Sequence, residues 1–76
     1  MSAVYLDSMG HLWSADRSRL HDLAASIGMR RDWFQDRPRL YHYDVMTKAK
    51  RAAAIRAGAI RVSPRELVAL IRGADA

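Results

Sequence analysis

The sequence predicts an α/β fold: a small three-stranded, mainly parallel sheet with three helices in the order βαβαβα. Three observations lead there. Short β-favouring runs recur near the start, middle and end of the chain. A segment of helical periodicity follows each of them. Cap and turn residues stand at the junctions between them.

Ala3-Val4-Tyr5-Leu6 is the first strand, ended by the turn-like stretch Asp7-Ser8-Met9-Gly10. His11-Leu12-Trp13 is either an extra hairpin strand or an ordered loop, because periodicity over so short a run decides nothing. The first helix follows from Leu20, Leu23, Ala24 and Ile27, which recur at i, i+3, i+4 and i+7. Asp16 or Ser18 can cap its start, and Gly28 supplies the left-handed residue past its end. Met29 to Leu40 is irregular, basic and aromatic. In Tyr41 to Val45 the residues Tyr41, Tyr43 and Val45 alternate with His42 and Asp44, as in a strand.

Thr47 caps a second helix that runs through the alanines to Gly58, and Ala59-Ile60-Arg61-Val62 forms the third strand. Ser63-Pro64-Arg65-Glu66 carries a capping box, with Ser at N-cap, Pro at N1 and Glu at N3. Leu67, Val68, Leu70 and Ile71 give the last helix its buried side, and Gly73 is expected to end it. Right-handed crossovers would join the strands.

The 76 residues suit a single domain over 1–76, and half of them are hydrophobic, which argues against disorder. Many of these are alanine, so the core is small and a homodimer would help it. The absence of cysteine removes disulfides and thiolate metal sites. No basic stretch followed by an apolar run opens the chain, and no run is long enough to span a bilayer. A cytoplasmic protein without a membrane partner is expected. Thirteen Lys+Arg against eight Asp+Glu give a formal charge of +5, which favours phosphate-bearing small molecules or nucleic acid as partners.

The linear pattern resembles the domain of unknown function 4031 family, found in bacteria and phages. The matching pieces are Val4-Tyr5-Leu6-Asp7, Asp16 with Leu20-His21 and Leu23-Ala24, Ile27-Gly28, Trp33-Phe34-Gln35, His42-Tyr43-Asp44, Lys50-Arg51 and Gly58-Ala59. Where the family often has an acidic residue after the first strand's aspartate, this chain has Ser8. The resemblance implies a compact domain and assigns no activity.

In an open parallel sheet, ligands bind beyond the carboxyl ends of the strands. Asp7 ends the first strand and Asp44 lies near the end of the second, so both are expected at one edge of the sheet, with Ser63 after the third strand. Asp7, His42 and Asp44 are the candidate catalytic residues. Asp7, His11, Asp16 and Asp44 are the candidate ligands for a divalent metal, the one cofactor these residue types suggest. His21, beside the apolar stripe of the first helix, is expected to be a half-buried packing residue.

The densest polar stretch is His42 to Arg51. Thr47, Lys48 and Arg51 at the start of the second helix could hold a phosphate, with His42 and Asp44 ordering the site. Trp33 and Gln35 could contact the rest of the ligand. Trp33 and Phe34, interleaved with Arg30, Arg31, Arg37 and Arg39, could stack a base or cover the core. The expected function is therefore binding of a nucleotide or nucleic acid at the 42–51 junction. A metal-dependent phosphoesterase or nuclease using Asp7, Asp44 and the histidines is the alternative, and a small adaptor that binds a partner protein is a third. The sequence leaves open whether the chain is an enzyme.

Overall fold

A computed structural model describes residues 2–38 and 40–74, together with the backbone of Asp75. The elements are β1 (Val4–Asp7), β2 (His11–Ser14), α1 (Arg17–Ser26), a 3-10 turn (Arg31–Trp33), β3 (Tyr43–Asp44), α2 (Lys48–Arg56), β4 (Ile60–Val62) and α3 (Pro64–Asp75).

The sheet has four strands in the order β3-β2-β1-β4, and it is mixed. This corrects the expectation of three mainly parallel strands. Only β1 and β4 pair in parallel, while β1–β2 and β2–β3 are antiparallel. The cause is local. Asp7 accepts the backbone N–H of Met9 and of His11 on Oδ1 at 3.0 and 2.9 Å, and the Gly10 N–H reaches the Asp7 carbonyl at 3.1 Å. The chain therefore reverses at once, and residues 11–14 become a hairpin strand. Gly10 has φ +92°, and a Cβ there would lie 2.6 Å from the Val45 carbonyl oxygen, so only glycine fits this turn.

The strand expected over Tyr41 to Val45 shrinks to Tyr43–Asp44, preceded by an isolated antiparallel bridge between Gln35 and His42. The junction signals hold elsewhere. The Asp16 side chain accepts from Ser18 and Arg19 N–H at the start of α1, and the Thr47 hydroxyl accepts from Lys50 N–H at the start of α2. Gly28 and Gly58 take positive φ after those helices. The Ser63–Glu66 box is reciprocal, at 2.9 and 3.1 Å. Gly73, however, lies inside α3, and Val68 is 47% exposed rather than buried.

Alternation along the strands separates two faces. Val4, Leu6, Leu12 and Tyr43 join Leu20, Ala24 and Ala54 in one buried cluster beneath α1 and α2. Tyr5 and Trp13, paired across β1 and β2 with stacked rings, stand on the other face, and α3 packs on β1. Asp7, His11, His42 and Asp44 share the Tyr5/Trp13 side by the same alternation.

Candidate metal centre

β1 and β3 run in the same direction, each antiparallel to β2, so Asp7 and Asp44 lie at one edge of the sheet, as expected. The hairpin adds His11, whose Cα partner across β2–β3 is Asp44. His42 precedes Asp44 by two residues and shares its face. Four of the sequence-designated residues thereby meet.

Each member is held from behind. The Asp7 carboxylate is buried, and its Oδ2 lies 2.9 Å from Nδ1 of His11. Nδ1 of His42 lies 2.9 Å from the Leu40 carbonyl oxygen. Both partners accept only, so both Nδ1 atoms carry protons. In a neutral ring, each Nε2 then presents its lone pair, and both lone pairs are near Asp44. Oδ1 of Asp44 is 3.1 Å from Nε2 of His42 and 4.0 Å from Nε2 of His11. The Gln35 amide donates to the other Asp44 oxygen, Oδ2.

One donor atom each from His11, His42 and Asp44 lies within 4.8 Å of the others. Ligands about 2.1 Å from a metal stand roughly 3.0–3.4 Å apart, so the three atoms need close by less than an ångström or two to share one ion. Two imidazoles and one carboxylate suit zinc, manganese or iron in the divalent state. The side chains of His11 and Asp44 are 33% and 39% exposed, which leaves one side of the cluster open to an incoming ligand. Asp7 and the Leu40 carbonyl fix the tautomers, the job that outer partners do in histidine metal sites.

The other designated residues separate from this cluster. Asp16 follows the carboxyl end of β2, at the opposite end of that strand from His11, and its side chain caps α1, whereas His42 lies beside His11 and Asp44. The Arg51 guanidinium is committed to backbone carbonyls: Nε donates to Val45 at 2.8 Å, NH1 to Ser8 at 3.4 Å and NH2 to Met9 at 3.3 Å. It ties the β1–β2 turn to the loop after β3. Lys50, not singled out from sequence as a ligand-binding residue, donates to the Ile27 carbonyl at the end of α1.

His21 is the expected packing residue. Its Nδ1 is 2.7 Å from the Tyr43 hydroxyl, and its ring packs edge-on against Phe34 and Tyr43. Burial first, then Arg31 and Arg17, holds the His21 pKa below its ordinary value, while burial pushes the Tyr43 phenol up. Phe34 covers the core and Trp33 stays 45% exposed. Of the expected basic cluster, Arg30 pairs with Asp32, and Arg39 lies outside the described residues.

Two concavities adjoin the cluster. One, of about 360 Å³, includes Asp7, Ser8, Lys48, Arg51 and Arg61 in its wall. The other, of about 380 Å³, is lined by Met29, Trp33, Asp44, Met46, Thr47 and Lys50.

The family model described as "Protein of unknown function (DUF4031)" matches residues 3–74, nearly the whole chain, and the protein belongs to that family. No curated protein and no solved structure matches the chain. No helix among the described residues is long and apolar enough to cross a membrane.

Proposed function

We propose that the chain binds a divalent transition metal through Nε2 of His11, Nε2 of His42 and Oδ1 of Asp44, and uses it to hydrolyse a phosphoester. One observation carries this reading. Nε2 of His42 stands 3.1 Å from a carboxylate oxygen while Nδ1 of the same ring is already bonded to a carbonyl. A neutral ring would set lone pair against lone pair, so a cation belongs between the two atoms. It is either a proton on the imidazole or a metal ion. The second imidazole, aimed by Asp7 at the same carboxylate, favours the metal.

A bound ion there would polarise a phosphoryl oxygen and lower the pKa of a water molecule. The protein's own groups do the rest. Asp7 and the Leu40 carbonyl keep the histidines in the ligating tautomer, Gln35 fixes the Asp44 carboxylate, and Lys48 and Arg61 in the cleft beside Asp7 attract the anionic substrate. The formal charge of +5 acts in the same direction at longer range.

The test is calorimetric titration with zinc and manganese, followed by hydrolysis of bis(p-nitrophenyl) phosphate and of a short single-stranded RNA with and without chelator. One metal per chain, lost in His42→Ala, with turnover abolished by chelator, is the expected result. No metal binding would overturn the reading. Metal binding and salt-sensitive RNA binding without turnover would favour a second reading, a phosphate-binding module, for which the basic cleft also speaks.

A further inference from the structure

We propose that the apolar groove beside Asp44 is a stacking pocket for one nucleobase of the substrate, with Trp33 as its platform. The proposal deepens the metal-phosphoester reading and rests on it for the place of the phosphate, but the pocket itself can be tested without metal.

The groove holds about 380 Å³, within the ~300–1,000 Å³ of small-ligand pockets. Its walls are an indole, two thioethers and the stems of Thr47 and Lys50, with Asp44 at the boundary shared with the histidines. Trp33 is 45% and Met46 77% exposed. Large apolar side chains left in water around a concavity beside a polar cluster are a usual mark of a ligand surface.

The backbone that carries Trp33 is held in place. The Trp33 backbone N–H donates to the Arg30 carbonyl at 3.1 Å, closing the 3-10 turn, and two residues later Gln35 pairs with His42 through both backbone bonds, at 2.9 and 3.0 Å. The Gln35 side chain meanwhile donates to Asp44. The stacking platform and a metal-ligand candidate are thus set by one short segment, residues 33 to 35.

The occupant follows from the chemistry of the walls. A flat aromatic ring stacks on an indole and makes favourable contacts with methionine sulfur. Apart from the Asp44 carboxylate, which accepts, the polar side-chain atoms on the rim are donors: Lys50 has three ammonium protons and gives one to Ile27, and the Thr47 oxygen accepts from Lys50 N–H while its own proton is free to donate. Such a rim suits a base edge rich in acceptors, such as guanine or uracil. A phosphate on the same molecule would reach the histidine side of Asp44, and the basic chain complements its charge.

The experiment separates pocket from metal. Guanosine, which has no phosphate, is titrated into the protein in chelator, and tryptophan fluorescence is followed. Trp33 is exposed and Trp13 buried, so a stacked base quenches Trp33 first. Saturable quenching is expected in the wild type; guanosine affinity, compared by calorimetry in chelator because Trp33→Ala removes the fluorescent reporter, should fall roughly 5- to 150-fold in that variant, the range for loss of one stacked base. Zinc affinity of Trp33→Ala, measured by calorimetry, should match wild type. Guanosine 5′-monophosphate with zinc should bind more tightly than guanosine in chelator.

No saturable response to guanosine or to uridine overturns the pocket, whatever zinc does. Equal affinity in Trp33→Ala, or ribose 5-phosphate displacing the monophosphate as well as guanosine does, overturns the base as occupant. Saturable guanosine binding in a protein that takes no zinc leaves the pocket standing and removes the metal reading instead.

Discussion

Asp7 grips His11 twice: one carboxylate oxygen takes the backbone N–H of His11 at 2.9 Å and the other faces its ring Nδ1 at 2.9 Å. One buried side chain therefore both shapes the hairpin turn and sets the tautomer of an imidazole. The two roles can be separated. In Asp7→Asn the remaining oxygen can still serve the turn N–H groups, while the new amide faces Nδ1 as a donor. The proton then moves to Nε2 and blocks the ligating atom. The variant should fold, show a melting temperature close to wild type without metal, and bind zinc about 10–100-fold more weakly. Calorimetry on the two proteins decides it, and equal zinc affinity would remove Asp7 from the site.

The contrast between Arg51 and Lys48 gives a second prediction. Both lie in the first turns of α2, and the sequence assigned both to an anion. Arg51 donates to three backbone carbonyls in two loops, whereas Lys48 is exposed. Truncating Arg51 leaves the Val45 carbonyl, on a fully buried residue, without that donor. Arg51→Ala should cost about 1.5–3 kcal/mol, as for hydrogen bonds to charged groups. Lys48→Ala should stay within about 0.5 kcal/mol while weakening salt-sensitive RNA binding. Urea denaturation and a binding titration on both variants provide the check. A fully stable Arg51→Ala would return that arginine to the ligand site.

How much of this was legible follows from range along the chain. The caps at Asp16, Thr47 and Ser63 and the glycines at 28 and 58 depend on neighbours within a few residues, and sequence placed them correctly. The shared face of His42 and Asp44 follows from a spacing of two. The Asp7–His11 pair needed the hairpin, and a signal was present: Asp at the first and Gly at the fourth position of a turn favour type I reversal. Given that turn, β2 must run antiparallel, and Asp16 must leave the site. The Gln35–Asp44 bond and the Arg51 straps join segments whose approach depends on the whole sheet, so no local pattern announced them. Val68 is exposed because the face of α3 that packs on the sheet is narrower than the helix's apolar stripe.

The Ser63 box supplies a third prediction. Ser63 Oγ accepts the Glu66 N–H, and Glu66 Oε1 accepts the Ser63 N–H. Ser63→Ala should cost about 1 kcal/mol, which in a domain of this size lowers Tm by about 4–8 °C. The Ser63 backbone N–H, then its hydroxyl, holds the Glu66 pKa below the ordinary glutamate value. Its contribution is therefore complete above that ordinary value and fades as pH falls through the lower folded one. In Ser63→Ala the backbone N–H remains, so most of this acid dependence should remain too. An unchanged Tm would mean that α3 does not depend on its cap.

The last prediction concerns His21. Its ring is joined to the Tyr43 hydroxyl and packed against Phe34, and burial with Arg31 and Arg17 nearby depresses its pKa in the folded protein. The unfolded chain has an ordinary histidine there, with a pKa of about 6.5. Between the two values the unfolded state binds more protons than the folded state, so stability rises with pH across that interval. The contribution of His21 is present in full above about pH 6.5 and is lost as pH falls toward the folded value. Urea midpoints from about pH 8 down to about pH 5, taken in chelator so that metal binding is silent, should decline in wild type. His21→Gln keeps a hydrogen-bonding partner for Tyr43 but cannot titrate. It should start from a somewhat lower stability and decline less steeply. Parallel curves would mean that His21 protonates as easily in the folded domain as in the unfolded chain. The Tyr43–His21 bond would then have to form with a charged ring donating to the phenol oxygen.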